Sequence, residues 1–296
     1  MGQLRLRSTT TADLNARPRN GPSYMRDTVI PLECVDRPDA ARAWASSRFD
    51  QALLVLADLT PPLRSFASHW VAYDAKSQLF SGLEVRFEGF GQSVASIAAE
   101  SEEAFAALFG EVQGCAPTLI FVNRLQPVPP HVRANVESSD VWMVSPCVPH
   151  TKQPDPEVEP LKDANEVRDF VQRLGMHFWN PAMLRFGHAF GIRSPNGLLV
   201  SAACLNFALS EERYAHVGPV ATHPAHRGKS MGTRVLDAVR SSLAAAGIQQ
   251  CGVFASETDR PLVDFYARRG FVPRGQFRLL RFIGSRSVPD STSHHR

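Results

Sequence analysis

The residues whose types and spacing could do chemistry lie in one short stretch, His226-Arg227-Gly228-Lys229-Ser230-Met231-Gly232-Thr233. It joins an apolar run that ends at Thr222 to a helix predicted over 231–246. Backbone N–H groups at a helix start have no internal partner, and the helix dipole adds positive potential there. Such a loop binds phosphate or pyrophosphate. Gly228 and Gly232 allow close backbone approach, Arg227 and Lys229 add charge, and Ser230 and Thr233 offer hydroxyl donors. Taken alone, the stretch reads equally well as a Gly-containing turn with exposed basic residues.

The elements that must position this loop are clearest in the second half. Residues 163–175 predict a helix, with Val167, Phe170, Val171 and Leu174 on one face and Gly175 as its stop. Residues 188–192 and 198–209 predict a hairpin turned at Asn196-Gly197. A third strand covers 213–222. Val235, Leu236, Val239 and Leu243 stand at helical spacing before Gly247. A strand at 250–255, a helix at 261–269 stopped by Gly270 and a strand at 277–282 complete an α/β order with a mixed sheet. The first half alternates similarly, with helices at 39–48 and 102–112 and strands at 70–73, 79–87, 118–122 and 141–144. His150 to Pro156 is Pro-rich and polar and reads as a linker. The expected organisation is a tail at 1–24, a first domain at 25–149, a linker at 150–157, a second domain at 158–284 and a tail at 285–296.

Composition narrows the function. With 296 residues, 44% of them hydrophobic and 21% charged, the chain can bury one large core or two ordinary ones. A formal charge of +3, spread along the chain, lacks the dense basic patch that a nucleic-acid backbone requires. The five cysteines form no C-x-x-C pair and lie far apart, which suits thiols in a reducing compartment better than a disulfide framework or zinc knuckle. No apolar run is long enough to span a bilayer and no signal peptide is evident, so the expectation is a cytoplasmic protein with no membrane partner. His223 and His226 form an H-x-x-H without a third ligand, and no metal is expected. Gly89-Phe90-Gly91 begins a dinucleotide fingerprint, but Val94 stands where its third Gly belongs.

Val-Ala-Thr-His-Pro-Ala-His-Arg-Gly-Lys-Ser-Met-Gly, followed by a helix and then Phe265-Tyr266-Ala267-Arg268-Arg269-Gly270-Phe271, resembles the GNAT superfamily of acyl-CoA-dependent N-acetyltransferases. The resemblance covers roughly residues 158–283. It implies a GNAT fold, acetyl-CoA as co-substrate, and acyl transfer to an amine by direct attack. It also implies that the amides of Arg227 to Thr233 hold the pyrophosphate, with Ser230 where the family usually has Gly. Val220, Ala221 and Thr222 would pair with the pantetheine arm. Tyr266 would protonate the leaving thiolate. Asp259 falls where many relatives carry a cofactor-contacting Asn, and an ionised Asp can only accept. His216 shares a strand face with Tyr214, Gly218, Val220 and Thr222, where some relatives place a catalytic Glu, and is the candidate base, directly or through water. Glu211 and Glu212 are further candidates, expected to be exposed. His177-Phe178-Trp179-Asn180-Pro181 either lines an acceptor pocket or packs in the core.

The first half lacks any such loop. Its content resembles a degenerate GNAT-like partner, as in the glycine N-acyltransferase-like group. The alternative reading of the whole is a non-catalytic, regulatory acyl-CoA-binding module. Transfer of a longer acyl chain is a third reading, and the amine acceptor and oligomeric state stay open.

Overall fold

The structure is a computed structural model and describes residues 28–32, 38–74, 76–77, 79–91, 93–115, 119–126, 128–129, 134–149 and 155–282. The predicted tails, most of the predicted linker and Cys34 lie outside the described residues.

The strands are β1 (Thr28–Pro31), β2 (Ala67–Tyr73), β3 (Phe80–Phe87), β4 (Val94–Ala99), β5 (Leu119–Asn123), β6 (Ala134–Pro146), β7 (Glu159–Pro160), β8 (Phe190–Arg193), β9 (Leu199–Leu209), β10 (Tyr214–Thr222), β11 (Gln250–Ser256) and β12 (Val272–Phe282). The helices are α1 (Pro38–Ser47), α2 (Phe49–Asp58), α3 (Glu102–Cys115), α4 (Ala164–Arg173), α5 (Met231–Ala245) and α6 (Arg260–Ala267). All the strands join one twelve-stranded sheet in the order β1-β2-β3-β4-β5-β12-β6-β11-β10-β9-β8-β7. Only β4 with β5 and β10 with β11 are parallel, and α3 and α5 make those two crossovers.

The order shows an exchange of strands between the halves. β6 ends the first half in sequence yet pairs with β11 of the second, Gln250 to Ser256 against Pro146 to Asp140. β12 ends the second half yet pairs with β5 of the first, Phe277 to Arg281 against Asn123 to Leu119. The two exchanged strands pair with each other at the centre, from Val272 with Val144 to Phe282 with Ala134. Each half thus repeats one plan and is completed by a strand of the other.

Local signals account for the helix ends. The Asp163 carboxylate accepts from the N–H groups of Asn165 and Glu166, starting α4. Gly175 and Gly247, at φ +77° and +83°, take the left-handed turns after α4 and α5. α5 buries Val235, Leu236, Val239 and Leu243 against Val217, Val253 and Ala255 of the sheet. Truncating one such Leu to Ala costs about 2–5 kcal/mol. On the other side Trp142, Phe207 and Tyr214 share a core with Leu53 and Leu56 of α2 and Phe170 of α4.

The short β1 and β7 were not expected from the sequence, β12 starts earlier than expected, and three larger elements also differ. α2 was not foreseen, because Ala52, Leu53, Val55, Leu56 and Ala57 are all buried and leave little amphipathic contrast. β4 was not foreseen either. All six of its residues are buried, three of them Ala, so it shows neither alternation nor strong β-propensity. β6 runs thirteen residues, well beyond 141–144. Its polar segment Glu137 to Asp140 is held extended by the ladder with β12, where tertiary pairing outweighs propensity.

Candidate active site

Strands β10 and β11 pair only from Tyr214 to His216 against Gln250 to Gly252. Register shifts against β9 between His216 and Val217, and between Val217 and Val220, then bend β10 away. Val217 to Thr222 therefore have no ladder partner on the β11 side. The parting strands open a cleft of about 1110 Å³ lined by His216, Val220, Ala221, Thr222, Arg227, Gly228, Ser230, Met231, Gly232, Thr233, Asp259 and Tyr266. Of the loop residues 227–233, Lys229 alone is not on its wall.

The loop meets the cleft at the start of α5. Gly228 and Ser230 both have positive φ, +78° and +57°, and no side chain among the described residues caps the helix. The start of α5 has the unpaired amides of any uncapped helix, which can serve an anion. The left-handed geometry explains why glycine suits position 230, since a side chain there costs about 1–2 kcal/mol. A Cβ on Gly232 would stand 3.3 Å from Thr222 Oγ1 and 3.7 Å from Phe265 Cζ, so helix and strand approach closely here. Thr222 Oγ1 is itself hydrogen-bonded to Ser201 Oγ at 2.9 Å, and Arg227 Nε donates to the Thr222 carbonyl at 3.3 Å.

Arg269 was missed in the sequence. Its Nε donates to Thr233 Oγ1 at 3.0 Å, an NH1 group donates to the Phe265 carbonyl at 2.6 Å, and the guanidinium lies 3.6 Å over the Phe265 ring. Partial burial lowers its affinity for a proton. The residue adds a second cation beside the loop, and the Arg268-Arg269-Gly270 run after Tyr266 was the available signal.

Tyr266 is buried between Phe265 and Phe271, with ring centroids 5.2 and 5.4 Å away. Its hydroxyl has no hydrogen-bond partner among the described residues, and burial raises its pKa, which keeps the phenol protonated. Asp259 is exposed and caps α6, accepting from the Leu262 N–H at 3.1 Å. One carboxylate oxygen therefore has a structural task.

His216 differs most from expectation. It is 1% exposed, stacks on Phe207 at 5.1 Å and touches Phe254 at 4.3 Å, and burial pushes its pKa down to about 3. Trp142 Nε1 donates to Tyr214 Oη at 2.8 Å, and Tyr214 Oη lies 3.1 Å from His216 Nδ1. With its oxygen receiving the indole N–H, the phenol has its own proton to give to Nδ1. In that arrangement the proton of neutral His216 sits on Nε2, whereas a Tyr214 oxygen that accepts from both neighbours leaves it on Nδ1. In either tautomer burial lowers the affinity of the imidazole for the second proton that a base would take. Gly252 permits the arrangement, since a Cβ there would meet Tyr214 Oη at 1.9 Å.

The first half forms the far wall of the cleft through Leu54, Asp58, Leu63, Phe87, Phe90 and Phe121. His177, Phe178 and Trp179 also line it. Trp179 is also buried, which fits the core-packing reading of that cluster. Burial pushes Asp58 up to about 8, and burial with nearby Glu257 raises Asp140. Both acids line the cleft and neither was singled out by sequence. Glu211 is exposed as expected. Glu212 is half-buried, receiving Arg42 at 3.0 Å and Ser46 Oγ at 2.6 Å, and does not line the cleft. No described helix is long and apolar enough to cross a membrane.

The family model described as an acetyltransferase (GNAT) domain matches residues 190–273. A solved GNAT-family acetyltransferase from Novosphingobium aromaticivorans is similar at 23% identity and a TM-score of 0.54, covering 68% of this chain and 88% of that one. A GCN5-related N-acetyltransferase from Sphaerobacter thermophilus is similar at 13% identity and a TM-score of 0.57, covering 87% and 96%. A tandem GNAT protein from the clavulanic acid biosynthesis pathway is similar at 14% identity and a TM-score of 0.55, covering 86% and 97%. No curated protein matches the sequence significantly.

Proposed function

We propose, with residues 190–273 a GNAT acetyltransferase domain set in a GNAT fold, that this protein transfers an acetyl group from acetyl-CoA to an amine by direct attack. One observation carries the reading. A single cleft joins an uncapped, cation-flanked helix start, an unpaired length of β10 and a buried phenol.

In this reading the amides of Gly228 to Thr233, with Arg227, Lys229 and Arg269, hold the pyrophosphate. Val220 to Thr222 offer backbone groups to the pantetheine arm, and Asp259 stands at the rim. The amine nitrogen forms its bond to the thioester carbon as the C–S bond breaks, and Tyr266 gives its proton to the departing thiolate. His216 orients a reacting group or water. The amine's proton leaves by a water-relayed route, in place of His216 acting alone as base. Acetyl-CoA and an amine are the substrates, and no residue is assigned to a metal.

Calorimetry with coenzyme A and acetyl-CoA tests the first requirement, and binding of neither would sink the reading. The second reading is an acyl-CoA-binding module without turnover, favoured by the weak basicity of His216. Release of free thiol from acetyl-CoA in the presence of amines separates the two.

A further inference from the structure

We infer that the acceptor is a primary amine carried on an apolar body, received by a chamber that the first half of the chain supplies. The inference rests on the acyl-transfer reading above and names its substrate class.

The cleft is divided by charge. Arg227 and Arg269, both at the α5 loop, are the only Lys or Arg lining it among the described residues. Away from the loop, its lining acids are Asp58 at the end of α2 and Asp140 on β6. Asp58 has no hydrogen-bond or ion-pair partner for its carboxyl group among the described residues. Asp140 has only Ser138 Oγ, at 3.2 Å, and pairs along the sheet with Ser256 of β11, at the border of the opening. Both carboxyl groups are half-buried without a cation beside them, and partial removal from water disfavours their ionised forms. An ammonium group supplies the missing charge, whereas a carboxylate would be repelled.

Most of the rest of the chamber is apolar, with Ser96, Ser138, His177, Trp179 and Asn206 as polar exceptions. Leu54, Leu63, Phe87, Phe90 and Phe121 form its wall, and Phe178 meets Phe90 and Phe121 edge-on at 5.5 and 5.7 Å. A polyhydroxylated amine would bury against the Leu and Phe wall more hydroxyls than the few polar groups there can partner, at about 1–3 kcal/mol for each one left over. An aromatic or branched aliphatic amine would not. Two further atoms are poised for a ligand. Trp179 is 5% exposed and its Nε1 has no hydrogen-bond partner among the described residues, and Asn206 Oδ1 is equally without one there, while both residues line the cleft.

Calorimetry on the full chain tests this in two independent arms. Titration with coenzyme A addresses the acyl-transfer reading alone. Titration with 2-phenylethylamine, ethanolamine and 3-phenylpropanoate addresses the chamber. The expected result is binding of 2-phenylethylamine about tenfold or more tighter than either other compound. Asp58→Asn and Asp140→Asn should each weaken it about fivefold or more, with coenzyme A affinity held within about twofold as the control for folding. Equal binding of the three compounds would overturn the inference. So would decanoyl-CoA displacing 2-phenylethylamine and binding about tenfold tighter than acetyl-CoA, since the chamber would then hold an acyl chain. Amine binding without coenzyme A binding would remove the acyl-transfer reading and leave the amine site.

Discussion

Two helix starts occupy corresponding places in the two halves of the sheet and have opposite fates. Each follows the first strand of a parallel pair, α3 after β4 and α5 after β10. Between β10 and α5 runs the loop His223 to Ser230, with two left-handed residues and no side-chain cap. Between β4 and α3 stand only Glu100 and Ser101. Ser101 Oγ accepts from the Ala104 N–H at 3.1 Å, and Glu102 and Glu103 fill the first turn. That negative charge satisfies the α3 dipole and repels a phosphate.

The strand ends differ in the same sense. Gln126 Oε1 accepts from the Ala99 N–H at 3.0 Å, and Gln126 Nε2 donates to the Ala99 carbonyl at 2.7 Å. A side-chain amide thus fills, beside β4, the kind of place that the proposed reading gives to a pantetheine amide beside β10. The comparison teaches that this sheet plan survives without its ligand site. Ligand binding depends on whether the helix start is open and the strand edge unsatisfied.

The comparison can be broken most sharply at the open helix start. Gly232→Val should abolish measurable coenzyme A binding by calorimetry, because its branches would press on Thr222 and Phe265. Glu103→Ala, in the corresponding turn of α3, should leave that binding unchanged. Next in size, Tyr266→Phe should lower turnover about 100-fold or more while coenzyme A affinity holds, as loss of a general acid requires. Unchanged turnover would remove the acid assignment. At the closed strand, Gln126→Ala should cost about 2–4 kcal/mol in denaturant unfolding by orphaning two buried backbone groups. Coenzyme A stoichiometry should remain one per chain, and a second site would overturn the contrast.

Smaller effects sharpen the picture. Asp58 has a folded pKa of about 8 against an ordinary value of 3.8, so the folded state holds its proton more tightly. Its contribution to stability is therefore greatest at low pH and is lost as pH rises between those two values. Asp58→Asn should flatten that decline, as followed by thermal unfolding across the range. Smallest, Ser230→Gly relieves the left-handed strain but loosens the unfolded chain. A net gain of about 0.5 kcal/mol, about 1–2 °C in Tm, is expected.

Local chemistry was legible in the sequence, and partnership was not. Gly175, Gly247 and Asn196-Gly197 announced their turns, and the loop at 226–233 announced the start of α5, because each signal lies within a few residues of its effect. The exchange of β6 and β12 left no mark, since a strand's sequence does not say which neighbour it will pair with. Asp58, Asp140 and Arg269 acquire their roles from burial and from residues far away in the chain. His216 was placed correctly on its strand, but its burial and its place in the Trp142–Tyr214–His216 chain, spanning β6 and β10, depend on residues far away in the sequence.

The central strand exchange also governs the order in which the molecule can be made. Synthesis delivers β1 to β5 early, but the strand that covers β5 is β12, residues 272–282. Until those residues leave the ribosome, the β5 edge is open and β6 lacks both neighbours, β11 and β12. Exposed edges of this kind invite pairing with other chains. A nascent chain halted before residue 272 should therefore depend on chaperones, and its two halves can reach their final form only together.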